Sequence, residues 1–142
     1  MKFLNHELTA INDLLLNDLP LSGRKSRMRM KLLKIIAAKQ VEYHEDHMEL
    51  LKEHARKDDK GEPILIEKDG KRIFDIVDMK KFQEAFSELA FESVVIEENE
   101  ENKEMLLSVK TSLNENETVF KGEKAMLHDY LCEKFDEIYK TQ

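Results

Sequence analysis

The chain has 142 residues, a formal net charge of −7, 37% charged and 41% hydrophobic residues, no Trp and a single Cys. That length suits one ordinary domain with a core of its own. Apolar residues at helical spacing exclude a disordered chain, and one cysteine excludes an internal disulfide framework. The opening Met1-Lys2-Phe3-Leu4 meets polar Asn5, His6 and Glu7 at once, so neither a signal peptide nor a membrane span is expected. The expected setting is a cytoplasm, or a particle packaged from it.

The first helix is predicted from about His6 to Asp18, with Asn5 as N-cap and an apolar stripe of Leu8, Ile11, Leu15 and Leu19. Pro20 ends it, because proline lacks an amide donor and pushes its predecessor out of the helical region. From Leu19 to Val41 the sequence holds seven cations and no acid: Arg24, Lys25, Arg27, Arg29, Lys31, Lys34 and Lys39. The remaining residues therefore carry −14 together. Cations at a helix start oppose the positive end of its dipole, so such a segment points to an acidic partner surface, within the chain or outside it.

A second helix is predicted from Ser22 to about Arg56. Met30, Leu33, Ala37, Val41, His44, Met48 and Leu51 step by three or four along it and form a candidate interface seam. A second row, Ile36, Tyr43 and Leu50, widens the face. Beyond the break at Asp58, Asp59 and Gly61, Asp69-Gly70 between two apolar runs predicts a type I′ hairpin. Its register sets Glu67 against Arg72, Ile66 against Ile73 and Leu65 against Phe74.

Asp78 is expected to cap a third helix reaching Phe91. Strands are expected at Ser93–Glu97 and Glu104–Ser112, joined by an acidic turn with Glu97, Glu98, Glu100 and Glu101 as an acidic face. The last helix is predicted from Gly122 to Tyr139, with Leu127, Leu131, Phe135 and Ile138 as its stripe.

Catalytic constellations are missing. His44 and His47 stand three apart, whereas the metalloprotease motif needs four with a Glu directly after the first. Cys132 lies beside the apolar stripe of the last helix, the place of a small buried hydrophobe. The four glycines are scattered singly, so no phosphate loop forms. The chain reads as a non-enzyme with no catalytic residues, no metal and no cofactor.

The order of features resembles a family of small uncharacterised proteins of tailed phages and prophages of Gram-positive bacteria. The resemblance rests on Leu4-Asn5-His6-Glu7-Leu8, Leu19-Pro20, the basic start from Arg24 to Leu33 and Asp58-Asp59-Lys60-Gly61-Glu62-Pro63. It continues in Met79-Lys80-Lys81-Phe82-Gln83 with Glu88-Leu89, Val94-Val95-Ile96 and Gly122-Glu123-Lys124-Ala125. It implies a phage origin and no known enzymatic activity, and it brings no site residues with it.

The fold expected is α+β in a single domain over 1–142. An N-terminal helical hairpin over 1–57 is built on one long helix. A β-hairpin/helix/β-hairpin unit over 63–112 and a C-terminal helix over 121–140 pack along it. The function expected is protein–protein binding as a virion-associated or assembly component, by self-association as a homo-oligomer or with a phage or host protein. Arg24, Lys25, Arg27, Arg29, Lys31 and Lys34 are the candidate contact residues. The alternatives are an inhibitor of a host defence protein, acting as an acidic nucleic-acid mimic, and a nucleic-acid-binding accessory protein. The lack of interleaved aromatics argues against nucleic acid, and no membrane contact is expected.

Overall fold

The structure, a computed structural model, describes residues 1–140. Among these residues there are five α-helices, one of them long, and two antiparallel sheets of two strands each, which is the α+β class expected. The chain gathers into two compact units, 1–40 with 93–142, and 41–92. The subdivisions expected at 1–57, 63–112 and 121–140 do not coincide with these units.

The first unit opens with strand β1 (Lys2–Leu4), a 3-10 turn at Asn5–Glu7 and helix α1 (Leu8–Asn17). The Leu4 amide donates to Glu7 Oε1 at 2.8 Å, and Asn5 is buried in the turn rather than heading the helix. Leu8, Ile11, Leu14 and Leu15 are fully buried, since spacings of three and four put them on one face. Helix α2 (Gly23–His54) contributes Met28, Leu32, Leu33 and Ile36 to the same core.

The two predicted strands after residue 92 separate. Ser93–Val95 is indeed a strand, but it pairs antiparallel with β1, setting Phe3 against Val94. The segment expected as its partner is a helix, Lys103–Glu115. Met105, Leu106, Val109 and Leu113 are buried together, and adjacent apolar residues of that kind broaden a helix face where a strand would send them to opposite sides. The final helix, Glu123–Asp136, closes the core with Leu131 and Phe135, followed by Ile138.

The second unit holds the end of α2 from Val41, the hairpin strands β2 (Leu65–Lys68) and β3 (Lys71–Phe74), and helix α3 (Met79–Ala90). The strand after it, Ser93–Val95, is β4, and the two later helices are α4 and α5. The hairpin has the predicted register in all three pairs. Asp69 and Gly70 have φ of 53° and 76°, the two positive values a type I′ turn requires. Asp78 caps α3 by accepting from the Lys81 amide at 3.2 Å. Phe82 and Phe86 of α3 lie against Tyr43, His47 and His54 of α2, with His47 and Phe86 ring centres 4.5 Å apart.

Candidate functional site

The basic segment occupies the first five turns of α2, and its six candidate contact residues have three different fates. Arg24 pairs with Glu104 at 3.3 Å and Lys25 with Glu115 at 3.5 Å, both from α4. These carboxylates offset the cost of placing cations at the positive end of a helix. They do not belong to the acidic turn at 97–101. Arg29 is buried, donating through Nη1 to the Leu19 carbonyl and through Nη2 to Ser26 Oγ at 3.3 Å. Arg27, Lys31 and Lys34 are exposed. They stand on the side of the helix away from Leu32 and Ile36.

The candidate seam divides as well. Leu33 enters the core, and Met48 and Leu51 are half-buried. Met30 is 40% exposed and Val41 56%, and Ala37 and His44 are exposed beside them. The fold itself uses the row through Met28, Leu32, Ile36, Tyr43, His47, Leu50 and His54, which has the same helical regularity but larger side chains. The exposed row is thereby left as an apolar strip flanked by uncommitted cations.

In the acidic turn, Glu98 accepts from the Met1 ammonium and, at 3.1 Å, from the Tyr139 amide. Glu100 pairs with Lys103 at 3.8 Å, while Glu97 and Glu101 are exposed. The bond from the Met1 amine is the main cause holding the Glu98 carboxyl below its ordinary 4.5; burial pulls the other way and the Tyr139 amide adds to the lowering. A group whose folded pKa is lowered stabilises the fold above its unfolded value, and the gain is lost as pH falls through the folded one. Acidification through and below the carboxylate range should therefore weaken this contact. Glu98→Gln should lower stability at neutral pH by about 1 kcal/mol or less. It should also reduce the further loss on acidification, read from urea midpoints at neutral and acid pH; an unchanged acid response would refute the assignment.

The remaining chemical groups have structural employment. His47 and His54 pack against the phenylalanines of α3, and burial, with the neighbouring His44, pushes the His47 pKa down. Cys132 Sγ lies 3.6 Å from His128 Nε2, which donates to the Leu113 carbonyl at 2.9 Å. A ring nitrogen occupied as a donor cannot take the thiol proton. Burial, then Asp136 and Asp129, push the Cys132 pKa up, so the side chain stays a thiol. Among the described residues no three His, Cys, Asp or Glu side chains gather as a metal site, and no helix is long and apolar enough to cross a membrane.

A feature the sequence reading missed lies in the second unit. Asp46, Glu49, Glu53, Glu88 and Glu92 line an open groove of about 320 Å³ floored by Leu50, Ala85 and Leu89. The signal was present in the i, i+3 and i+4 spacing of Asp46, Glu49 and Glu53 along α2 and of Glu88 and Glu92 at the end of α3, but their convergence depends on how α2 and α3 pack.

No curated protein and no solved structure matches this chain. A family profile does match, over residues 3–142, and the chain accordingly belongs to the family described as protein of unknown function, DUF1617.

Proposed function

We propose that this protein works by binding other protein chains, without catalysis, as a virion-associated or assembly component of a tailed phage. The observation that carries the reading is the solvent face of α2. There Met30, Ala37 and Val41 are exposed among Arg27, Lys31 and Lys34, whose side chains form no ion pair or hydrogen bond with another described residue. An apolar strip with a charged border suits a protein surface, since interface cores exclude water and their rims steer the partner. The phage setting rests on the resemblance carried by Leu4–Leu8, Asp58–Pro63 and Gly122–Ala125.

The acid-lined groove of the second unit favours a second reading, an inhibitor that docks on a host defence protein as a nucleic-acid mimic. Direct nucleic-acid binding has less to stand on, because Arg24, Lys25 and Arg29 are engaged within the fold. Tagged protein expressed during phage infection and fractionated by sedimentation separates these readings. Co-sedimentation with particles or assembly intermediates supports the assembly role. Recovery with a single host protein, free of phage structural proteins, overturns that role and supports the inhibitor.

A further inference from the structure

We infer that the solvent face of α2 is self-complementary and joins two copies of this chain in an antiparallel pair with two-fold symmetry. The inference rests on the protein-binding reading above and names the occupant of that face. In its first half the face presents Arg27, Lys31 and Lys34, and in its second half Glu42, Glu45 and Glu49, all exposed. Ala38, also exposed, lies midway. The cations stand 11, 7 and 4 residues before Ala38, and the acids 4, 7 and 11 residues after it. Those are the spacings at which residues share one side of an α-helix, so all six fall on the stripe that Ala38 marks.

An isologous contact presents the same patch from both partners, with each residue meeting its counterpart reflected through the axis. With the axis at Ala38, Arg27 faces Glu49, Lys31 faces Glu45 and Lys34 faces Glu42, and symmetry repeats each pair. A parallel in-register arrangement would instead set like against like, which is costly. At the axis Ala37 and Ala38 have no bulk to hold the helices apart, and Val41 and Met30 supply apolar contact alongside. The antiparallel direction also opposes the two helix dipoles. Glu49 already touches Lys52 at 3.7 Å, an exposed pair of the kind that exchanges partners at little cost.

Residues 27 to 49 span about 33 Å at the helical rise. One helix face of that length is a small interface. Its affinity should be moderate and should fall with added salt, because its charges are at the surface.

Sedimentation equilibrium on the full chain tests this, with circular dichroism to confirm that each variant keeps its helices. The wild type should show a concentration-dependent dimer that weakens with salt. R27E/K31E/K34E makes all six of these positions acidic, and E42K/E45K/E49K makes all six basic. Each alone should pair on the order of tenfold more weakly or worse, while an equal mixture should restore dimers because all six ion pairs are present again, three of them with their signs exchanged. Misfolded variants could not rescue each other in this way.

Orientation is read from R27C and E49C chains, each also carrying C132S. On oxidation the mixture should give the mixed disulfide. A monomeric wild type, reversed variants that still pair alone, a mixture that fails to pair, or R27C disulfides with itself in preference would each overturn the inference. A monomer would leave the protein-binding reading intact, since that depends on the infected-cell fractions.

Discussion

Leu106→Ala should cost the protein about 2–5 kcal/mol of stability, the range for removing a fully buried leucine from a packed core. Leu106 is 0% exposed and lies in the cluster with Met105, Val109 and Leu113 of α4, with Leu131 and Phe135 of α5 and with Leu8, Ile11 and Leu14 of α1. Truncating it removes apolar contact and leaves a void that helices packed on several sides close only in part. Its neighbour Leu107 is half-buried at the edge of this cluster, so Leu107→Ala should cost about 1–2 kcal/mol. The pair of variants separates two readings of the segment. A strand would place Met105, Leu107 and Val109 on one face and Leu106 on the other, making Leu107 the costly position. Urea unfolding followed by far-ultraviolet circular dichroism gives the order. Hydrogen exchange at the α4 amides should locate the loss in the first unit.

That comparison also shows why some elements could be read from the sequence and others could not. The β2–β3 hairpin follows from two residues, because Asp69-Gly70 accepts two positive φ values and thereby fixes the register of everything beside it. Helix α3 announces itself through the Asp78 cap, and α5 through a stripe of large side chains at helical spacing. In Met105-Leu106-Leu107-Ser108-Val109 short-range pattern is ambiguous, since a brief apolar run fits a buried strand as well as a buried helix. The choice is made by the packing of α4 on α5 in the shared core, which no local window contains. β1 is three residues long and exists only through its pairing with β4, a long-range event.

The candidate site was legible in place more than in detail. Two rows along α2 have nearly the same regularity, and the fold buries Leu32 and Ile36 and half-buries Tyr43 and Leu50 of one, while Ala37, Val41 and His44 of the other stay exposed. Side-chain volume distinguishes the rows: an alanine or histidine position gains little by burial beside a leucine or tyrosine one. The fate of Arg29 could have been found in the same way. It stands four residues before Leu33 and seven before Ile36, on the buried side of the helix despite its charge.

Arg29→Ala should therefore destabilise the protein by about 2–4 kcal/mol, combining a lost hydrogen bond from a charged donor with a cavity in the core wall. The Leu19 carbonyl that Arg29 holds lies just past the end of α1, where unpaired carbonyls and the negative end of the helix dipole gather. A guanidinium there satisfies the carbonyl and offsets the partial charge, tying the end of α1 to the second turn of α2. Arg29→Met keeps much of the volume and removes only the donors, so its loss should be smaller but still above about 1 kcal/mol. Arg29→Lys should recover part of it, because one ammonium cannot reach Leu19 and Ser26 with the geometry of a planar fork. Arg27→Ala removes the same charge two residues away from an exposed position and should change stability by no more than about 0.5 kcal/mol. If the basic segment acted only through its net charge, the two alanine variants would behave alike in both stability and association. The two variants should diverge: loss of Arg29, buried and hydrogen-bonded, should impair folding, whereas loss of exposed Arg27 should spare folding and weaken the pairing inferred above. Thermal unfolding of both variants, set beside their sedimentation behaviour, decides the matter, and equal melting temperatures would rule out the role assigned to Arg29.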